Sequence, residues 1–206
     1  NIILQLTDSY KTIVKPTKEI LYKDRGSKFY GYAFPISSSE EVNDLIAPLR
    51  STHSKAGHHC YAWKLGAGND NYRANDDGEP SHSAGDPILG QILAHELSDV
   101  LIVVSRIFGG TKLGIGGLIS AYRETAKLAL TDAKIITRTI TANVEIHFEY
   151  PQMSQVMRYI DENNFKIIFQ ELTTTCIITV AVPVSQQKEI CETIHRMYPI
   201  TSKIPD

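Results

Sequence analysis

Apolar residues along the first two thirds of the chain alternate between strand-like and helix-like spacing. Strands carry an apolar residue at every second position or a short continuous apolar run, whereas helices carry apolar residues three and four positions apart. Pro48 is expected to bend or end the first helix, and Asp86 is expected to cap the second. The spacing predicts strands at 12–14, 19–22, 28–34, 59–65 and 100–104, with helices at 38–49, 86–93 and 117–130.

The last third of the chain follows a polar and β-branched stretch at 131–139 and has a simpler pattern. Its apolar residues predict the order strand, helix, strand, strand, helix, strand, which is the βαββαβ order of a ferredoxin-like sandwich. We therefore predict an α+β protein with two domains, residues 1–137 and residues 138–206.

The open face of the second domain's sheet is predicted to be unsuited to RNA. RNA-recognition modules of this element order stack bases on aromatic rings of their central strands. Here Phe165 and Phe169 are expected to lie under the helices, which leaves Glu145, Glu149 and Lys166 on the open face. Any RNA contact is therefore expected from the first domain or from a loop edge of the second.

A glycine-rich stretch follows the predicted buried strand at 100–104 and leads into a predicted helix. Its backbone amides could hold a phosphate or carboxylate, with Arg106 and Lys112 as nearby cations. Its spacing fits neither a P-loop nor the dinucleotide fingerprint, so we favour a tight turn packed against another loop. Valine at the second or fourth glycine is then expected to lower stability. The five glycines are Gly109, Gly110, Gly114, Gly116 and Gly117.

Composition and charge narrow the class of protein. The 206 residues are 42% hydrophobic and 21% charged, which is typical of a folded globular chain. The net charge is −2 and neither predicted domain has an excess of basic residues, so no DNA binding is expected. Cys60, Cys176 and Cys191 are odd in number and widely spaced, which favours reduced thiols. No membrane-spanning run or signal-like segment is visible, so we predict a cytoplasmic protein without membrane attachment.

Two constellations could carry chemistry: a metal site, and acid–base catalysis by Asp77 and Glu79 with His59, which needs a shared cleft. The polar segment at 66–86 is predicted to be a long loop, and loops of this length are usually functional or mobile. Imidazole, thiolate and carboxylate groups are zinc ligands, but their spacing here matches no metal signature. We therefore expect no metal ion, no other cofactor and no catalytic residue. The residues concerned are His58, His59 and Cys60 in a strand, and Asp76, Asp77, Glu79 and His82 in the loop.

Three segments of the chain together resemble the IMPACT/YigZ family of translation-linked proteins. They are HHCYAW at 58–63, DDGEPSHSAGDPIL at 76–89 and SRIFGGTKLGIGGLISAY at 105–122. The resemblance covers the whole first domain, and the predicted second domain resembles that of the bacterial members. His82 and Ser83 stand where members often have Gly and Thr, and Ile107 stands where an aromatic residue is usual.

This resemblance implies a fold and a type of function. The first domain is expected to have the two-layer fold shared by a small-subunit ribosomal protein and domain four of elongation factor G. The second is expected to be similar to a ferredoxin-like domain of that factor. Eukaryotic relatives regulate the starvation response at translation initiation by competing for a partner that activates a kinase. The bacterial members have no established reaction, so the resemblance supplies no catalytic residues.

We therefore predict a non-catalytic binding protein that acts in or near translation, with a ribosome, an RNA or a translation-associated protein as its partner. The predicted site combines the glycine-rich stretch with the loop at 76–80. Arg106 and Lys112 are expected to contact phosphate or carboxylate, and His59, Asp77 and Glu79 are expected to form hydrogen bonds. Arg106 should share a groove with Asp77 or Glu79. The alternative is a metal-assisted hydrolase or transferase acting on a phosphorylated small molecule, with Asp76, Asp77, Glu79 and a histidine as ligands.

Overall fold

The computed structural model describes residues 8–68 and 70–205. Residues 1–7 of the predicted first domain, Asn69 of the polar segment and Asp206 lie outside the described residues. The chain divides into two compact units, one at Tyr10–Arg138 and one formed by 139–205 with Asp8 and Ser9. The predicted α+β class with two domains is therefore confirmed.

The described part of the chain up to residue 139 contains seven strands and three helices. None of the helices in the described residues is both long and apolar enough to cross a membrane. In chain order the elements are β1 Ser9–Ile13, β2 Ile20–Asp24, β3 Ser27–Pro35, α1 Glu41–Thr52, β4 His58–Lys64, β5 Tyr72–Asn75, α2 Gly85–Ala94, β6 Val100–Ile107, α3 Gly114–Thr131 and β7 Ile135–Thr139.

The first unit is built on a five-stranded antiparallel sheet in the order β2-β3-β6-β4-β5, and β1 pairs with β7 separately. Strand β6 is central and buried on both faces, as its continuous apolar run predicts. Helices α2 and α3 pack on the face that carries Phe29, Cys60 and Val104. Helix α1 covers part of the opposite face, against Trp63 and Val103.

Helix α1 does not end at Pro48, which was one of the two outcomes that the sequence predicted. The helix runs from Glu41 to Thr52 with Pro48 inside it. Val42, Ile46 and Leu49 are buried, whereas Pro48 lies on the exposed side. Because the carbonyl group that loses its helical partner there faces water, burial of the apolar face is enough to continue the helix.

The polar segment at 66–86 is not a continuous loop. It contains the short strand β5, which pairs with β4 from Tyr61 opposite Asn75 to Lys64 opposite Tyr72. An edge strand has one exposed side, so it needs few apolar residues and shows little alternation in the sequence. This strand holds the loop that follows it next to β4.

Helix α3 begins at Gly114, three residues before the predicted start. Leu113 at its N-cap and Leu118 in its second turn are both buried in the core. Packing of this apolar face stabilises the first turn in spite of the low helix propensity of Gly116 and Gly117. Three of the five glycines of the stretch, Gly114, Gly116 and Gly117, therefore lie within α3.

The second unit has the predicted ferredoxin-like order, which is confirmed by its sheet order β11-β8-β10-β9. All three strand pairs are antiparallel. Val144, Ile146 and Ile178 form its core with Ile160 and Ile194 of the two helices. Its elements are β8 Thr141–Glu149, α4 Met153–Glu162, β9 Lys166–Leu172, β10 Thr175–Pro183, α5 Gln187–His195 and β11 Thr201–Lys203.

A bulge in β9 changes which side chains face away from the helices. Ile167 pairs with Val180, but Phe169 pairs with Thr179, so one extra residue is inserted between them. Phe169 is 53% exposed and lies on the open face, where the alternation had placed it in the core. That part of the prediction was wrong. The open face therefore carries the Phe169 ring together with Glu145 and Glu171. That RNA does not bind through this face stays a prediction.

Candidate functional site

The glycine-rich stretch is packed against the turn between β2 and β3. A Cβ atom at Gly109 would lie 1.8 Å from the carbonyl carbon of Gly26 and 2.2 Å from the backbone nitrogen of Ser27. The Gly109 N–H donates a hydrogen bond to Ser27 Oγ at 3.2 Å. The interpretation of this stretch as a tight turn packed on another loop is confirmed at Gly109.

The other glycines have different environments. Gly110 and Gly114 have φ angles of +89° and +72°, which favour glycine, but a Cβ at either would meet open space. Gly116 has neither constraint. We therefore keep the expected loss of stability for Gly110→Val, on the order of 1 kcal/mol or more, and withdraw it for Gly116→Val. Thermal melts of the two variants compare them directly.

The first acidic residue of the loop at 76–80 caps helix α2. Asp76 Oδ1 accepts hydrogen bonds from the N–H groups of Ala84 and Gly85 at 2.9 and 2.8 Å, and Oδ2 accepts one from His82 at 2.9 Å. The helix begins at Gly85, and Asp86 makes no cap hydrogen bond. The predicted capping role of Asp86 was therefore wrong, because Asp76, eight and nine residues before these N–H groups, satisfies the helix end.

Asp76→Ala is expected to destabilise the protein by about 1–2 kcal/mol at neutral pH, because the α2 amides lose their acceptor. Burial raises the pKa of Asp76, but the three N–H donors together lower it by more than burial raises it. The pKa of Asp76 is therefore below the ordinary 3.8. A group whose pKa is lower in the folded state contributes stability at pH values above its unfolded-state pKa. That contribution is lost as the pH falls through the folded-state pKa. In urea denaturation, the difference in the free energy of unfolding between wild type and variant should therefore become smaller below pH 3.8. Asp86→Ala is the matched control, and a difference that stays constant in acid would contradict the ionic cap.

Asp77 stands in a tight turn and is tied to the sheet edge. Asp77 and Gly78 have φ angles of +41° and +88°, and the Glu79 N–H donates to the Asp76 carbonyl at 2.9 Å. Asp77 Oδ2 accepts from the His59 N–H at 2.7 Å, and both carboxylate oxygens accept from Arg50 Nη2 at 3.1 Å. These contacts hold a strained turn in place. Burial raises the pKa of Asp77, but these donors lower it to below its usual value.

The side chain of Glu79 turns inward and meets Arg106. Arg106 Nη1 donates to Glu79 Oε1 at 2.7 Å, and only 8% and 4% of the two side chains are exposed. The Tyr122 hydroxyl donates to the same Glu79 oxygen at 2.7 Å. The Arg106 guanidinium also lies 5.5 Å from the centre of the Phe29 ring and 5.7 Å from that of Phe108. The predicted groove shared by Arg106 and Glu79 is thus present as a direct contact.

Cys60 extends this buried group from the strand side. Its thiol donates to the Asp76 carbonyl at 3.0 Å and approaches the Tyr122 hydroxyl at 3.3 Å. Burial raises the pKa of both the Cys60 thiol and the Tyr122 hydroxyl well above their ordinary values. Neither group ionises near neutral pH, so the thiol is not an activated nucleophile.

A pocket of about 280 Å³ opens beside this buried pair, between the loop at 76–80 and the start of α3. We call it the Arg106 pocket. Phe108 and Ile115 in its wall are 54% and 60% exposed. Its charged lining residues are Glu79, Arg106 and Lys112, and its apolar ones include Phe108, Ile115 and Leu118. It therefore combines charge at its base with apolar walls that are open to solvent.

The Arg106 pocket contains only part of the predicted site. Arg106, Glu79, Lys112 and Gly114 line it. His59 does not line the pocket, because successive residues of a strand point to opposite faces and His59 points away from the pocket. Its ring shares a hydrogen bond with Ser105 Oγ at 2.8 Å. Burial lowers the pKa of His59, so its buried ring is neutral at neutral pH. Asp77 contacts Arg50 and His59, and Gly109, Gly110, Gly116 and Gly117 do not line the pocket.

Phe108, Ile115 and Tyr122 were missed by the sequence prediction. Phe108 and Ile115 flank the glycines and fall outside the apolar stripe of α3. That position outside the stripe is the one signal in the sequence that these two apolar side chains are exposed. Tyr122 lies within that stripe and could not be told from any other core residue. Its contact with Glu79 joins positions 43 residues apart.

In the described ranges, 8–68 and 70–205, no group of three or more His, Cys, Asp or Glu side chains is arranged to hold a metal ion. Asp76 and Glu79 are two of the ligands of the hydrolase alternative. The Asp76 carboxylate accepts from the α2 amides, and Glu79 Oε1 accepts from Arg106 and Tyr122. Asp77 is occupied by Arg50 and His59.

Comparison with known proteins identifies several relatives. Residues 25–130 match the family model of the Impact N-terminal domain. The IMPACT family member YigZ of Escherichia coli is 31% identical over 152 residues, which is 73% of this chain and 74% of that protein. An IMPACT family member of Thermus thermophilus is 38% identical over 130 residues, 63% of this chain and 69% of that one. The match to YvyE of Bacillus subtilis, at 32% identity, covers 68% of this chain and 64% of that protein.

A solved structure also resembles this chain over its full length. It is described as the crystal structure of an hypothetical protein and is 25% identical in sequence. The alignment has a TM-score of 0.71 and covers 98% of this chain and 99% of that chain. The two-unit architecture is therefore shared with an experimentally determined structure.

Proposed function

Because this chain belongs to the IMPACT family, we propose that it is a non-catalytic binding protein that acts in or near translation. A ribosome, an RNA or a translation-associated protein is its partner. The observation that carries the proposal is the Arg106 pocket, which places exposed Phe108 and Ile115 beside Lys112. Exposed apolar side chains next to a cation are typical of a surface that binds a partner.

The candidate catalytic groups make contacts within the fold, and this supports a binding role over the hydrolase alternative. The Cys60 thiol is buried and protonated, and the Asp76 carboxylate caps α2. Glu79 is neutralised by Arg106 and accepts the Tyr122 hydroxyl. A general base needs a free lone pair within reach of a substrate, and the Asp76 carboxylate and Glu79 Oε1 already accept hydrogen bonds within the fold.

Co-sedimentation of the full chain with ribosomes across a salt series tests the proposal. We expect binding that persists at physiological salt, because non-specific phosphate contacts weaken steeply as salt rises. Phe108→Ala and Lys112→Gln should each weaken that binding about 3- to 10-fold without changing the melting temperature, since both side chains are exposed and central to the surface. Leu93→Ala and Lys127→Gln, exposed residues outside the Arg106 pocket, are the matched controls.

Two results would contradict the proposal. One is sedimentation that disappears at physiological salt, which would reduce the interaction to non-specific attraction. The other is stoichiometric zinc in the purified protein, or magnesium-dependent turnover of a phosphate ester, which would favour the hydrolase or transferase.

A further inference from the structure

Arg106 has hydrogen-bonding capacity that the protein does not use. Its Nη1 atom is bonded to Glu79, but its Nε atom is buried and has no hydrogen-bond partner among the described residues. Buried donors in native proteins nearly always have a partner, so the fold leaves this guanidinium with more positive charge than Glu79 alone satisfies. Arg106 is more than nine-tenths buried and lines the Arg106 pocket.

The start of α3 is a second, independent source of unpaired donors at the same pocket. The helix is 18 residues long, has no side-chain cap at Leu113 and has no acidic residue in its first turn. The first four N–H groups of a helix lack intrahelical partners and carry a partial positive charge. Gly114, the first residue of α3, lines the pocket together with Lys112, which forms no ion pair within the described residues.

The walls of the pocket determine what accompanies the anionic group. Phe108 and Ile115 are large, apolar and exposed, and Leu113 and Leu118 continue the apolar surface inward. A volume of about 280 Å³ suits one apolar side chain with its attached acid group. The exposed surface of Phe108 and Ile115 continues beyond that volume, so the partner is larger than a single amino acid.

The charges favour a carboxylate over nucleic acid. Glu79, Arg106 and Lys112 together carry one net positive charge, which matches a single monoanion. Single-stranded RNA sites combine several stacking rings with a basic groove, whereas this pocket has the single ring of Phe108 among aliphatic walls.

We propose that the Arg106 pocket binds the C-terminal carboxylate of a polypeptide that ends in an apolar residue. This inference rests on the proposed function, since it names the class of partner that occupies the same site. The terminal carboxylate accepts hydrogen bonds from the first amides of α3, and the Arg106 guanidinium and Lys112 add positive charge. The terminal side chain packs between Phe108 and Ile115. Capture of a C-terminus by backbone amides is a recurring mode of peptide recognition.

The test is a titration of the full ¹⁵N-labelled chain followed by NMR. The probes are a short peptide ending in Val-Leu with a free carboxylate, the same peptide amidated at its C-terminus, N-acetyl-leucine and oligouridylate. The free peptide should shift the Arg106 Nε–H and the amides of Gly114 and Ile115. Amidation should weaken binding about 10-fold or more, because charge-assisted hydrogen bonds are lost. N-acetyl-leucine should bind more weakly than the peptide.

Variants assign the contacts. Lys112→Gln should weaken peptide binding about 3- to 10-fold, and Phe108→Ala should weaken it by a similar factor. Lys127→Gln, on the same helix and outside the pocket, should leave it unchanged. Equal binding of the amidated peptide or of N-acetyl-leucine, shifts of the same resonances by oligouridylate, or no shift with the free peptide would each overturn the inference.

The two proposals fail separately. If the full chain co-sediments with ribosomes but no peptide shifts the pocket resonances, the carboxylate inference alone is wrong. If peptide binding is observed but ribosome binding is lost at physiological salt, the translation proposal is wrong and the pocket still binds a C-terminus.

Discussion

Gly109→Ala is expected to lower the free energy of unfolding by about 3 kcal/mol or more, or to prevent folding of the first unit. The added Cβ would lie 1.8 Å from the Gly26 carbonyl carbon and 2.2 Å from the Gly26 oxygen. Both atoms belong to backbone in a tight turn, so no side-chain rotation relieves the overlap. The β2–β3 turn or the end of β6 must move, and the hydrogen bond from Gly109 to Ser27 is lost. Urea denaturation of the purified variant measures the loss.

Gly116→Ala is the matched control for this substitution. It adds the same methyl group in the same glycine-rich stretch. Gly116 lies within α3, and a Cβ atom there would meet open space. Alanine has the higher helix propensity, so this variant should be as stable as wild type or more stable, by up to about 1 kcal/mol. Equal destabilisation by the two substitutions would show that the contact between Gly109 and Gly26 is not the cause.

Glu79→Ala is expected to destabilise the protein by about 3–5 kcal/mol, because it leaves the Arg106 charge buried without its partner. The Tyr122 hydroxyl also loses its acceptor in this variant. Thermal and urea denaturation at neutral pH measure the effect. An exposed pair provides the control: Arg158 and Glu162 are 3.9 Å apart and largely solvated, so Arg158→Ala should change stability by no more than about 0.5 kcal/mol.

A double variant separates the charge from the packing. Arg106→Met with Glu79→Leu removes both charges and keeps most of the buried volume, so it should recover much of the stability lost in Glu79→Ala. If the double variant is as unstable as the single one, the loss comes from packing or from Tyr122 rather than from an unpaired charge. Because Arg106 supports the fold in this way, binding is better tested at Lys112 and Phe108.

Part of the candidate site could be predicted from the sequence because its signals are local. A strand followed by clustered glycines and a helix indicates a constrained turn whatever surrounds it, and Arg106 and Lys112 are adjacent to that turn in sequence. The resemblance of the three segments to the IMPACT/YigZ family also depends on local residue order, and it is confirmed by the family match over residues 25–130. Which of these side chains share a pocket depends on the sheet, and His59 and Arg106 point to opposite faces of it.

The sequence by itself determined the α+β class, the ferredoxin-like order of the second unit and the buried central strand, because periods of 2 and 3.6 residues follow from backbone geometry. The tertiary structure decided the features that join distant positions. It placed Asp76 rather than Asp86 at the α2 end, packed Gly109 on Gly26, and paired Arg106 with Glu79. It also inserted the bulge that turns Phe169 outward. The Asp76 cap spans only eight and nine residues, but the other contacts depend on strand register or on a partner tens of residues away. No local pattern of residues encodes which donor will meet which acceptor.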